Sequence, residues 1–237
     1  MSCSAKLPIY ALFSAAFFSR YQAFVMMGLY VIGILLGILS GFIMKKTVFK
    51  GAPVPFVMEL PNYRFPSAKT VALLLWDKAK DFIQRAFTVI FIASVAVWFL
   101  RSFDLRINPV TDSAQSMLAG IARGLSVLFA PLGFADWRAV TGLITGFIAK
   151  EAVISTLSVL TKTGVAELGG TLHTLFTPLA ALSFLVFTLL YTPCVAAIAA
   201  VRREWGNIWG MLLVVLYQTG LAWLAAFAVY QVGRLLL

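Results

Sequence analysis

The sequence predicts an all-α, polytopic helical membrane protein in which some helices are broken or re-entrant, and three observations carry that prediction. Of its 237 residues, 61% are hydrophobic and 12% charged, with a mean hydropathy of +0.94, whereas a soluble domain carries roughly 25% charged residues. Residues 22 to 44 (QAFVMMGLYVIGILLGILSGFIM) hold no charge in 23 positions, and at ~1.5 Å per residue they reach about 34 Å, enough for a hydrocarbon core of about 30 Å. The later apolar runs are interrupted by glycine, proline or charge, which at membrane depth is tolerated where the backbone is buried in protein or lines a cavity.

Charge and cysteine usage narrow the class further. The net charge of +10 could point to nucleic acid, but eight of the nineteen basic residues (Lys45, Lys46, Lys50, Arg64, Lys69, Lys78, Lys80, Arg85) fall in one stretch between apolar segments. The positive-inside rule explains that clustering and assigns the stretch to the cytoplasm. Cys3 and Cys194, the two cysteines, each lie in an apolar, small-residue context, so a disulfide framework is not expected. The opening MSCSAKLPIYALFSAAFF lacks the basic start, apolar run and small-residue cleavage site of a secretory signal peptide.

Along the chain, residues 7 to 19 form a short apolar run after Pro8, read as a half-helix, so that the chain is expected to begin mid-fold. Residues 22 to 44 form a full span, with Gly33, Gly37 and Gly41 on one face, a pattern that lets another helix approach closely and predicts a packed face. The segment 45 to 85 is a basic linker: GAPVPFVMELPNYRFP cannot be regular helix because its prolines remove donors and disfavour helix before each of them. From about Ser67 onwards Ala72, Leu75, Trp76, Ala79, Phe82, Ile83 and Ala86 recur at three- and four-residue steps between charged residues, which predicts an amphipathic interfacial helix. Residues 86 to 115 comprise a span near 86 to 101 and an external loop containing Asn108-Pro109. Residues 116 to 205 form an irregular region, interrupted by Arg123, Gly124 and Pro131, by Lys150 and Glu151, and by Thr192-Pro193-Cys194. Residues 206 to 237 supply a last long span. Five to seven membrane-embedded segments result.

Chemistry is concentrated at two of the interruptions. A charge at the centre of a spanning helix costs roughly 2.5 to 3.5 kcal/mol on translocon scales, so Lys150 and Glu151 each need a partner or water. Neighbours on a helix point about 100° apart and cannot easily satisfy one another. Glu151, Ser155, Ser158 and Lys162 share one stripe, as expected of a wet cavity, and Gly142 and Gly146 provide a small-residue face one turn earlier. The plainer alternative is that Lys150 snorkels to headgroups and Glu151 caps a helix end. In LVFTLLYTPCVAAIAAVRRE, Pro193 offers no N–H to the carbonyl of Leu189 and disfavours helix at Thr192, so the backbone opens beside Cys194. Ser2-Cys3 near Pro8 and Pro193-Cys194 both lead into alanine-containing helix, which hints at an internal repeat.

Four motifs, SCSAKLPIYALFSAAFF, PFVMELPNYR, TGFIAKEAVISTLSVL and FTPLAALSFLVFTLLYTPCVAAIAAVRRE, closely resemble in this order the C-terminal membrane region of the ferrous iron transport protein B (FeoB) family, over essentially the whole chain. The resemblance implies a multi-pass importer of Fe(II) in the bacterial inner membrane, with two nucleoside-transporter-like gate regions. Cys3 would lie in the latter part of the first gate, and residues from about 116 to 205 would form the second. The family also has a cytosolic GTP-binding domain, but no G-x-x-x-x-G-K-[ST] occurs in these residues, so no GTP site is expected in this chain. It is read as a fragment or as one piece of a split transporter, not itself an enzyme. Its expected partners are the lipid bilayer, Fe(II) and the missing N-terminal GTPase and membrane portion in the same or a separate chain; a homo-oligomer is possible and nucleic acid is not expected.

The implied site takes Cys3 and Cys194 as thiol ligands and Glu151 as carboxylate, a mixed set that Fe(II) accepts. Ser155, Thr192 and carbonyls opened by Pro193 complete a weak, exchangeable shell, and Lys150 neutralises the neighbourhood of Glu151 when metal is absent. No permanently bound cofactor is expected; Fe(II) is the transported substrate. Two rivals remain: a nucleoside-type permease, which would use polar side chains at the same breaks, and a non-transporting subunit that only packs against partners. His173, in a stretch read as a loop (GGTLHTLF), is not expected to act as a general base.

Overall fold

The computed structural model describes residues 3–47, 65–85, 88, 91–104, 106, 108–110, 112–164, 167–192 and 194–236. These residues are helical apart from turns and one isolated antiparallel bridge between Phe103 and Pro109. The proline-rich part of the linker, residues 48 to 64, lies outside the described residues, as does Pro193.

A short turn, Ser4–Lys6, leads into α1 (Leu7–Phe17). Pro8 lies in the first turn of α1, where a missing N–H costs nothing. After a second turn comes α2 (Gln22–Thr47), closed by Lys45 and Lys46, whose charges suit the negative end of the helix dipole. The amphipathic α3 (Ala68–Arg85) begins at Ser67, whose hydroxyl accepts the Thr70 N–H at 3.3 Å. It is followed by α4 (Phe91–Ser102).

The irregular region then resolves into six short helices, three of them started by a side-chain cap. Ser116 caps α5 (Met117–Phe129) by accepting the Ala119 N–H at 3.2 Å. Asp136 caps α6 (Trp137–Ile148) through the Arg138 N–H at 2.7 Å. Next come α7 (Ala152–Thr161) and α8 (Leu168–Leu175). Thr177 caps α9 (Pro178–Leu190) through the Ala180 N–H at 3.3 Å. The chain closes with α10 (Val195–Trp205), stopped by Gly206 at φ 67°, and α11 (Ile208–Leu236). By length and composition, residues 19 to 47 and 208 to 236 can each cross a membrane. Two further spans are possible if each bent pair counts as one: α5 with its following turn meets α6 at 104°, and α8 meets α9 at 103°.

The core sits around α9, which buries nine of its side chains including Phe184, Leu185 and Phe187. Phe184 stacks on Phe13 at 5.0 Å between centroids, meets Phe134 edge-on at 5.4 Å and lies tilted against Phe176 at 5.2 Å. The most extensive packing is α9 against α11, where Ala222 and Ala226 are fully buried and Ser183 Oγ donates to the Ala226 carbonyl at 3.1 Å. Small residues at this contact follow the logic of helix association in lipid, where close backbone approach replaces the hydrophobic effect as the driving term.

Three expectations are corrected here. Lys150 and Glu151 do not sit at the centre of a spanning helix: Ala149 adopts φ −141°, ψ 118°, and α7 folds back along α6. Gly142 meets Leu157 and Val153, Gly146 meets Val153, and the Thr145 and Thr156 hydroxyls lie 3.0 Å apart, an antiparallel register. The small-residue face thus serves this hairpin, and its crowding accounts for the turn that the polar-stripe pattern could not reveal. The packed face expected of the α2 glycines is met at Gly33, where a Cβ would touch Leu189 of α9, and not at Gly37 or Gly41, where it would meet nothing within 4 Å among the described residues. His173 lies in α8 rather than a loop, with Nε2 3.1 Å from the Ala16 carbonyl and its ring 4.5 Å from that of Phe17.

Candidate functional site

The end of α9 is chemically predetermined. A helix leaves its last carbonyls without intrahelical donors, and proline at position 193 denies Leu189 the N–H that would have answered it. Tyr191 is extended at φ −62°, ψ 162°, as is Cys194 at φ −60°, ψ 161°, before α10 resumes at Val195. The break expected around Thr192 and Cys194 is therefore present.

Its carbonyls are answered by lysines from elsewhere in the chain. The Lys6 ammonium donates to the Leu189 carbonyl at 2.7 Å, across 183 residues of sequence. The Lys150 ammonium donates to the Thr192 carbonyl at 2.8 Å and lies 3.1 Å from the centroid of the Tyr191 ring. Charge-assisted bonds of this kind are stronger than neutral ones, and a π face adds further attraction for a cation. Lys6 and Lys150 are 6% and 3% exposed, so both long side chains are enclosed by protein instead of snorkelling outward. Lys6 ends the turn that follows Cys3; Lys150 occupies the break between α6 and α7.

These groups face a cavity of about 570 Å³. Cys3 and Cys194 both line it, together with Lys6, Lys150 and Tyr191; Gly33, Gly37 and Ser40 of α2 supply one wall, and Tyr217 and Gln218 of α11 another. No Asp or Glu is among the lining residues. Both thiols are free, that of Cys3 on an exposed residue and that of Cys194 on a partly buried one. Ser40 Oγ and Tyr217 Oη are hydrogen-bonded across the cavity wall, whereas Gln218 Oε1 is buried with no partner among the described residues.

The sequence-derived set is thus split. Cys3, Cys194 and Lys150 share the cavity. Glu151 does not line it: the turn at Ala149 puts it at the head of α7, exposed, with no side-chain capping bond. Ser155 is also exposed, its hydroxyl donating to the Ala152 carbonyl at 3.1 Å within its own helix. The Thr192 hydroxyl is turned to α11, donating to the Val215 carbonyl at 3.1 Å and lying 2.6 Å from Thr219 Oγ1, so this residue offers the cavity's lysine a carbonyl and not its side chain. Among the described residues no three Cys, His, Asp or Glu side chains converge. Lys6 was not singled out by sequence. A lone lysine in a run otherwise without charge carries the same signal as Lys150, a charge that needs a partner, but nothing local to the segment names the Leu189 carbonyl as that partner.

Broken helices around a largely apolar cavity into which a few polar groups project are the architecture of a membrane permease's gate region. In agreement, residues 83–208 match the gate family model described as nucleoside recognition, and residues 26–78 match the model of the ferrous iron transport protein B C terminus. The chain belongs to the ferrous iron transport protein B family, and matches its C-terminal membrane portion. It is 40% identical over 240 residues to the Fe(2+) transporter FeoB of Staphylococcus aureus (strain MSSA476), covering 99% of this chain and 35% of that protein. To the Fe(2+) transporter FeoB of Methanocaldococcus jannaschii it is 37% identical, covering 100% of this chain and 36% of that protein. It is also 34% identical to an Fe(2+) transport protein A/Fe(2+) transporter FeoB fusion protein of Porphyromonas gingivalis, covering 99% and 33%. The chain therefore spans about a third of the length of these curated relatives. No solved structure matches it.

Proposed function

We propose that this chain is part of the membrane permease of an Fe(II) importer in a bacterial inner membrane, working with a GTP-binding portion carried in the same or a separate polypeptide. The observation that supports it most is the shared cavity of Cys3 and Cys194, 191 positions apart in sequence, at a helix break whose carbonyls point away from any helical partner. Thiols are soft ligands and carbonyls hard ones, and ferrous iron takes both. Two thiols with exchangeable carbonyls form a site strong enough to strip water from the ion and weak enough to release it. Glu151 and Ser155 are left out of this set, and the fit rests on sulfur and backbone oxygen.

The test is uptake of radioactive iron by cells carrying the intact transporter with Cys3→Ser, Cys194→Ser or both. Uptake should fall in each single variant and further in the double one; wild-type rates in all three would remove the thiols from the pathway. A nucleoside permease is the second reading. It draws on the gate model's description as nucleoside recognition and on Ser40, Tyr217 and Gln218 in the lining, which could hydrogen-bond a ribose or base. Saturable uptake of a labelled nucleoside, with no iron uptake, would favour it.

A further inference from the structure

We propose that Lys6 and Lys150 are tethered cations that occupy the carbonyl acceptors of the α9–α10 break, so that a divalent ion gains the cavity only by displacing an ammonium. This deepens the iron reading and rests on it for the identity of the ion, but the charge of the cavity can be judged independently.

Three features lead there. Leu189 and Thr192, whose carbonyls flank the break, each already hold one ammonium, at 2.7 and 2.8 Å. These are the backbone oxygens that an entering cation would use. Second, no Asp or Glu lines the cavity that contains both lysine amines; their partners there are the carbonyls of Leu189 and Thr192 and, for Lys150, the face of Tyr191. Third, both lysines are almost wholly enclosed, and like charges in an enclosed space act with little screening. A purely structural cap for the end of α9 needs one donor per carbonyl and could use a neutral side chain. Two lysines from segments 144 residues apart in sequence bring charge as well, and charge acts on whatever ion approaches.

The consequence is a threshold. A monovalent alkali ion offers the carbonyls no more than the ammonium already there and binds thiols poorly, whereas a thiophilic dication, though repelled twice as strongly by the ammonium that remains, can also engage the two thiols. The arrangement thus favours a thiophilic dication over the far more abundant alkali ions without any carboxylate.

The experiment probes Cys194 in the intact protein in membranes, in a Cys3→Ser background, with the modified peptide followed by mass spectrometry. Rates are compared for two methanethiosulfonates, one bearing a sulfonate and the other a trimethylammonium. The wild-type ratio of anionic to cationic reaction should exceed that of free cysteine in the same buffer by roughly tenfold, as a cleft of one sign concentrates its counter-ions. Lys150→Met and Lys6→Met should each lower it, while Lys150→Arg, which keeps the charge, should leave it high. A wild-type ratio no greater than that of free cysteine overturns the proposal and needs no variant to fold; so does a ratio unmoved by both methionine substitutions. A second arm keeps Cys3, the modified peptide identifying Cys194 by itself, and adds Fe(II) under anaerobic conditions. If the proposal holds, the concentration that half-protects Cys194 falls in Lys150→Met and not in Lys150→Arg; a Lys150→Met value equal to or above wild type overturns displacement. If Fe(II) protects in no variant while the reagent ratio behaves as expected, the iron reading fails and the cationic cavity stands.

Discussion

Gly146→Ala tests the geometry that places Lys150. A methyl at Gly146 would overlap a Val153 methyl of α7 and come within 2.9 Å of the Tyr191 hydroxyl, so one added carbon presses both on the hairpin and on the ring beneath the Lys150 ammonium. Neither neighbour retreats freely, since Val153 is fully buried and Tyr191 is 6% exposed. Overpacking of this kind costs about 1–3 kcal/mol, and at roughly 2–4 °C per kcal/mol for a chain of this size the apparent melting midpoint in detergent should drop by about 3–10 °C. Val153→Ala alone loses contacts and should cost about 1–2 kcal/mol. Combined with Gly146→Ala it removes the clashing methyl, so the double variant should be more stable than the sum of the singles by about 1 kcal/mol or more. Size-exclusion melting with fluorescence detection measures all four proteins of this cycle. Wild-type stability of Gly146→Ala, or strict additivity in the double variant, would refute the hairpin packing.

Further outcomes follow from other contacts. Gly133 has φ 86° and a Cβ there would fall inside the ring of Tyr230; Gly133→Ala should lower the melting midpoint, and Tyr230→Ala should restore only part of the loss because the backbone strain remains. Ser183→Ala deletes the hydroxyl bonded to the Ala226 carbonyl and should cost about 1 kcal/mol in the same assay. Glu151→Gln should leave the reaction of Cys194 with thiol reagents unchanged, because Glu151 is exposed and outside the cavity lining; a large change would place the carboxylate's influence inside.

Much of the fold was legible because lipid imposes simple rules. An uncharged run of 23 residues had to be a span, and α2 and α11 appear where hydropathy put them. Proline fixed the break between α9 and α10, since its effect on Leu189 is local covalent chemistry. The turn at Ala149 was not legible. Nothing in TGFIAKEAV is a helix breaker by itself, and the fold-back depends on Val153 finding Gly146, a tertiary event. That one turn decided the site, exchanging the roles expected of Lys150 and Glu151: the lysine is enclosed and the acid is outside. Lys6 went unremarked for a related reason, because its partner lies 183 residues away and single-segment patterns carry no such pairing.

The glycine wall of the cavity has a mechanical corollary. Helix α2 fully buries Leu29, rests on its neighbours chiefly through α1 and α9 and bonds to α11 through Ser40 and Tyr217, while a Cβ at Gly37 or Gly41 would meet nothing within 4 Å among the described residues. Displacing this helix would break the Ser40–Tyr217 bond and draw Leu29 out of the phenylalanine-packed interior. The width of the chamber on that flank is therefore held by few contacts, one hydrogen bond and one fully buried leucine among them.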